Sequence, residues 1–310
     1  QAEPFPTMAG AAQVVTAGTP VYVAPGQYTG GFRTSVNGTP EARIIFVSSE
    51  RWGAQIVSPL DSRTASAWDN RGNYVDIVGF DIDGFQYQSG TKWLNGIYNA
   101  GSYNGIRHNH VHHLALHVPC EANGGSGIVV DSYYKGKHGE VIGNNVHDIG
   151  PPECPVHHGI RVSTPSRVRS NVIYRISGTG IQLWNDAHRV DITGNTVVSS
   201  GSGILVGGGD FYYSKGPNDH TVVANNIVFD NLRGILEQGA TGANNRYLHN
   251  LVFQNTAGDW RLAPGRQHAG TVAAEPAFLG FRLPGATDVG LRGPSPAIRA
   301  GEEVEPPVPA

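Results

Sequence analysis

The chain has 310 residues, 39% hydrophobic and only 15% charged, with 42 glycines and a net charge of −3. Ordinary soluble domains carry about 25% charged residues and about 7% glycine. The glycine has no Gly-X-Y period, which excludes collagen. The hydrophobic share excludes general disorder, no apolar run reaches the ~18 residues of a membrane-spanning helix, and no basic run points to nucleic acid.

The chain opens Gln1-Ala2-Glu3-Pro4, without an initiator Met or an apolar leader. That start is expected of a mature form, and the Gly-, Asn-, Thr- and Ser-rich composition of a secreted or periplasmic β-protein. Residues 1–20 are expected to form an N-terminal cap, with an Ala/Val-rich helix over residues 8–17 plugging the first turn. Val21-Tyr22-Val23, Arg43-Ile44-Ile45-Phe46-Val47 and Val75-Asp76-Ile77-Val78-Gly79-Phe80 read as early strands.

From residue 96 two units alternate. One is Gly-Ile, at Ile97, Ile128, Ile160, Ile181, Ile204 and Ile235. The other is apolar-x-x-Asn-x-apolar, at Asn109, Asn144, Asn171, Asn195, Asn225 and Asn250. Each has the period of two of a short strand. No helix-length amphipathic segment separates them, so βαβ units are excluded. Short parallel strands joined only by loops must coil, each turn lying on the last about 4.8 Å away. The expected fold is all-β: a single-stranded right-handed parallel β-helix with a short N-terminal capping helix and an irregular C-terminal cap. The asparagines are expected to stack as an internal ladder. The whole chain, 1–310, reads as one domain, with coils over 21–262, a C-terminal cap over 263–301 and an acidic, Pro-rich frayed tail or linker over 302–310.

Val21-Tyr22-Val23-Ala24-Pro25-Gly26-Gln27-Tyr28, the Gly-Ile and Asn-x-Val units and Ser295-Pro296-Ala297-Ile298 resemble secreted pectin-lyase-like right-handed β-helix proteins. The resemblance covers about residues 14–301. It implies a carbohydrate-active protein without selecting among polysaccharide lyases, glycoside hydrolases, uronate epimerases, pectin esterases and phage tailspikes, because fold does not fix function. The Asp-Pro-His motif of alginate epimerases is not seen.

Cys120 and Cys154 precede Ile128 and Ile160 by similar distances, so a disulfide between successive turns is expected. One residue after each Ile, the outward column reads Tyr98, Val129, Arg161, Gln182, Leu205, Leu236; three after, it reads Ala100, Asp131, Ser163, Trp184, Gly207, Gln238. Asp131, Arg161, Gln182 and Trp184 suit a sugar, the indole for stacking and the polar groups for hydroxyls or a carboxylate. Two long loops flank them. One carries Tyr133, Tyr134, Lys135, Lys137 and His138; the other carries Asp210, Tyr212, Tyr213 and Lys215, so three of the four lysines lie there. The loops are expected to wall a groove for a partly anionic polysaccharide, with His157 and His158 beside it.

β-Elimination at a uronic acid needs a carboxylate neutraliser, a base and an acid. Arg161 fits the first role, His158 or Lys135 the second, Tyr133 or Tyr134 the third. A hydrolase needs two carboxylates; Asp131 is one, and Asp210 lies in a loop too long to place. Calcium held by Asp131 is an alternative neutraliser. The other histidines crowd His108, His110, His112, His113, His117 and His147. His108, His110 and His112 alternate as metal ligands on one strand face would, yet no carboxylate partner is evident. His113, Asp148 and Arg175 read as a charge ladder. The expected protein is a monomeric lyase, with a hydrolase, an epimerase or a non-catalytic glycan-binding solenoid as alternatives.

Overall fold

The computed structural model describes residues 5–87, 89–90, 93–120, 124–281 and 288–307. Its strands form three parallel sheets, of 10, 9 and 9 strands. The chain visits them in a fixed rotation, one strand per sheet per turn. Gly105–Arg107 lies in the first sheet, His110–Leu114 in the second and Ser126–Val130 in the third; Gly139–Ile142 then returns to the first. This is the coil that the sequence predicts, with the Gly-Ile units stacked in register through the third sheet. Ile97, Ile128, Ile160, Ile181, Ile204 and Ile235 are wholly buried in the interior. Glycine precedes them because of close approach: a Cβ at Gly180 or Gly203 would sit 2.3 Å from a valine methyl of the opposite wall, Val197 or Val228.

The asparagine unit is not one strand. It is a two-residue corner between a strand of the first sheet and a strand of the second. The residue before the asparagine bends with positive φ, as at His108, Gly143, Ser170 and Gly194. The asparagine then points inward. Asn144 donates from its side chain to Asn171 Oδ1 (3.0 Å) and to Ile106 O (2.9 Å), and the same step repeats from Asn171 to Asn195. One position differs from expectation: Asn226, not Asn225, continues the ladder from Asn195 to Asn250. Asn225 instead takes the bend at φ 56°, because asparagine tolerates the left-handed region better than most residues.

The N-terminal helix is shorter than expected, Met8–Val14, with Thr7 capping it by accepting from the Gly10 N–H at 3.0 Å. Met8, Ala12 and Val15 join the core and close its first turn, where Trp68 packs against Phe32, Phe46 and Phe80. At the other end, Trp260–Arg261 and His268–Ala269 add two further strands. Phe278–Gly280 and Asp288–Leu291 then pair antiparallel. They fold back over Val198, Phe229 and Phe253 on the outside of the second sheet. The described part of the tail is not frayed: Asn225 donates to Glu302 O and Arg246 to Glu305 O. Cys120 and Cys154 form the expected disulfide, Cα atoms 5.5 Å apart. In the chain-entropy picture a loop of this size contributes about 3–4 kcal/mol.

Candidate functional site

The outside of the third sheet carries a continuous column: Arg33, Asp69, Tyr98, Val129, Arg161, Gln182, Leu205 and Leu236. Strand alternation points these side chains away from the core. Asp131 and Ser163 stand in the neighbouring column. Asp131 is 8% exposed. It accepts from the Tyr98 hydroxyl, from Ser163 Oγ at 3.2 Å and from the Tyr133 amide at 3.3 Å. Burial first, and then the Asp131 charge, push the Tyr98 phenol well above its ordinary pKa, so it stays protonated.

Arg161 differs from the arginines around it. Arg33 and Arg71 pair with Asp69, and Arg169 with Asp191. Among the described residues no carboxylate lies within 4.0 Å of Arg161; its Nη2 donates to Asn185 Oδ1 at 2.9 Å, and its buried Nε has no partner. A guanidinium with unused donors on an outward column is suited to an anionic ligand.

The two long loops do not face each other across a groove. They meet. The Tyr213 hydroxyl donates to Tyr133 O at 2.6 Å, and the Tyr133 and Tyr212 rings stand edge to face at 5.3 Å. Asp186 causes this: it accepts from Ser132 Oγ and from the amides of Tyr212, Tyr213 and Ser214, pinning one loop to the other. Burial alone raises its pKa, but those donors outweigh burial and hold it below the ordinary carboxylate value. The result is one aromatic canopy beside Arg161, with Tyr133, Tyr134, Tyr212 and Tyr213 all more than 40% exposed. Arg71 stacks over Tyr134 at 3.7 Å, extending the canopy towards an open cleft lined by Arg33, Asp69, Asn95 and Tyr98. The Tyr212 phenol is raised by burial and by Asp131, while Arg161 opposes the rise.

Other expected site residues lie differently. His157 and His158 are buried, and each Nδ1 accepts from a backbone amide, of Gly125 and Thr179 respectively. Burial lowers both, His158 to about 3. A neutral ring accepting at Nδ1 carries its proton on Nε2, so neither offers a lone pair to the outer face, and His158 is not placed as a base. Trp184 is part-buried: its Nε1 donates to Asp210, and the ring lies so close over Gly207 and Gly209 that a Cβ there would be 2.5–2.6 Å away. Lys135 is exposed on the canopy. The Lys137 backbone is tied to Ser102 and Tyr103, at the corner leading to the first sheet rather than to the second loop. Gln182 keeps its outward place beside Arg161. Asp131 has both oxygens engaged, and the cation-holding clusters among the described residues lie elsewhere.

Those clusters stand on the outside of the second sheet. Asp81, His110 and Asn145 stack in one column, and Asp83, His112, His147 and Tyr174 in the next. The carboxylate partners not evident from sequence are Asp81 and Asp83, one turn earlier. His108 is excluded, since it forms the corner at φ 57°. The expected charge ladder is present in part, with Arg175 gripping Asp148 through two donors. The signal available in the sequence was the pair of spacings Asp-x-Asp and His-x-His placed 29 residues apart, one turn of the coil.

No protein-family model matches the chain, and no curated protein matches it in sequence. Solved structures do. A pectate lyase, Pel9A, superposes with a TM-score of 0.63 at 15% identity, covering 96% of this chain and 86% of that one. A rhamnogalacturonan lyase gives 0.59 at 14% identity, covering 90% and 87%. No helix among the described residues is long and apolar enough to cross a membrane. At such identities the likeness is one of architecture, and the chain is a parallel β-helix of the kind found in pectate lyase.

Proposed function

We propose that this chain is a secreted carbohydrate-active enzyme that cleaves an anionic, uronate-containing polysaccharide by β-elimination on the outside of the third sheet. The observation that carries the reading is Arg161, a guanidinium with no carboxylate partner among the described residues, next to exposed tyrosines. The pectate lyase and rhamnogalacturonan lyase that share the fold support it. The disulfide fits an oxidising compartment.

In this reading Arg161 pairs with the uronate carboxylate and stabilises the charge that develops as the C5 proton leaves. Tyr98 takes that proton on its phenol oxygen while passing its own to Asp131, so no free phenolate forms. Tyr212 protonates the leaving glycosidic oxygen as the C4–O bond breaks and the C4–C5 double bond forms. Proton exchange with water resets Asp131 and Tyr212. Tyr133, Tyr134 and Tyr213 supply ring faces for the sugars, and Lys135 and Lys215 add positive charge along the canopy. Asp131 and Asp210 serve a hydrolase less well: hydrolysis needs one carboxyl held protonated, and Asp210 is tied to Trp184.

Incubation with a panel of uronate polymers, read by the ultraviolet absorbance of the unsaturated uronate, tests the reaction. Cleavage with that absorbance is expected. New reducing ends without it would assign a hydrolase, and binding without cleavage a glycan-binding solenoid. Tyr212→Phe is expected to slow turnover by ~10²-fold or more, as for loss of a general acid.

A further inference from the structure

We propose that Asp81, His110 and His112, on the outside of the second sheet, bind one divalent transition-metal ion of the zinc type. The three offer one donor atom each within 4.8 Å of one another. Asp81 Oδ1 lies 2.9 Å from His110 Nδ1 and 2.9 Å from His112 Nε2. Donors sharing one ion at 2.0–2.2 Å stand about 2.9–3.4 Å apart, so both carboxylate–imidazole distances already match those of a ligand set.

Proton placement makes the case stronger. With one proton on each ring and no ion, His110 Nδ1 and His112 Nε2 both donate to Asp81 Oδ1. A neutral imidazole has a single N–H, so His110 Nε2 is then a bare lone pair. It faces His147 Nε2 at 2.7 Å. His147 directs its Nδ1 at Asp148 Oδ2, 2.5 Å away, which leaves its own Nε2 bare as well. Two lone pairs thus oppose each other. A milder conflict arises at His112 Nδ1, whose lone pair then faces Asp83 Oδ1 at 3.5 Å, although His113 Nδ1, 2.5 Å away, can donate to it. An ion bound to His110 Nδ1 and His112 Nε2 moves both protons to the outer nitrogens. His110 Nε2–H then donates to His147, His147 Nδ1–H to Asp148, and His112 Nδ1–H towards Asp83. Every contact becomes a donor–acceptor pair.

The surroundings are those of a supported site. Metal-bound histidines usually pass their second N–H to a further acceptor that fixes the ring. Here that chain runs from His110 through His147 to Asp148, which Arg175 holds. Gln55 Nε2 donates to the second oxygen of Asp81 at 3.0 Å, and the Trp52 indole stacks on His110 at 4.6 Å. Two imidazoles with one carboxylate select a borderline ion over Ca²⁺ or Mg²⁺, which take oxygen. Three protein ligands leave a position for water or a ligand oxygen.

The test is metal uptake by the whole chain, read independently of any turnover, so its failure leaves the lyase reading untouched. Chain stripped with a chelator is titrated with Zn²⁺ and with Co²⁺, and bound metal is measured by mass spectrometry and by the Co²⁺ visible spectrum. One ion per chain is expected, undisplaced by excess Ca²⁺, with a higher melting temperature in Zn²⁺. Asp81→Asn and His110→Gln are expected to weaken binding by ~100-fold or more, and Asp148→Asn by ~10–100-fold. His110 is part-exposed, so His110→Gln keeps the test open should a change at the buried His112 unfold the turn; folding is checked by circular dichroism. Folded wild-type chain that takes up neither ion overturns the proposal and leaves a proton-sharing network. Unchanged binding by both Asp81→Asn and His110→Gln overturns it as well.

Discussion

The outer faces of the second and third sheets both carry polar side chains but arrange them in opposite ways. On the second sheet the groups turn towards one another: His110 and His112 share Asp81, and Asp148 joins His147 to Arg175. On the third sheet Arg161 has no carboxylate partner among the described residues, and the tyrosines around it are exposed. A face whose ionisable groups turn inward on one another is suited to hold something small and internal to the cluster. A face with an uncompensated cation beside open ring surfaces is built to receive something from solution. Polarity alone does not separate the two; the partner of each group does.

The sharpest break of this comparison sets Arg161 against Arg169, whose carboxylate partner Asp191 is on its own sheet. Arg161→Ala is expected to lower kcat/KM on the true uronate polymer by more than ~100-fold, as for a lost transition-state contact, with little change in melting temperature. Arg161→Lys recovers only part, because the two-pronged fork is lost. Arg169→Ala is expected to do the reverse, costing about 1–3 kcal/mol of stability at unchanged kcat/KM. Equal activity losses in the two variants would remove the distinction.

Next in size is the interior. Asn171→Ala leaves the Asn144 amide without its acceptor and should cost about 1–3 kcal/mol, read by denaturant unfolding, with activity intact below the melting temperature. A loss confined to activity would mean that the ladder serves the site rather than the fold.

The smallest effect concerns Asp76 on the first sheet, paired with Arg43 and Arg107. Burial alone raises its pKa, but the two guanidinium groups outweigh burial and hold it below the ordinary carboxylate value. Its contribution is therefore fully present above the unfolded value of about 3.9 and is lost as pH falls through the lower folded value. Melting curves from pH 6 to pH 3 should show wild type converging on Asp76→Asn at the acid end. Parallel curves would contradict the assignment.

Most of the fold was legible in the sequence because interior positions repeat. Each Gly-Ile must fit the same narrow wall, and each asparagine the same corner. Asn225 was misread since two adjacent asparagines satisfy the pattern equally, and only the bend separates them. The site was legible in part. Asp131 and Arg161 follow from strand alternation, whereas the meeting of the loops depends on Asp186, a residue outside every repeat. Asp81 and Asp83 were missed as partners of the histidines because their contact runs between turns, and turn length varies. His157 and His158 were misplaced because adjacency to a strand does not say which backbone amides will occupy their nitrogens.

The corner between the first and second sheets has one further consequence. From Gly79-Phe80 to His249-Asn250 it is always two residues long, while the other two connections range from two residues to more than ten. Heredity acting on these turns meets one seam of fixed length and two margins whose length already varies from turn to turn. New loops, and so new specificities, can be spliced at those margins without disturbing the thread of amides that counts the turns.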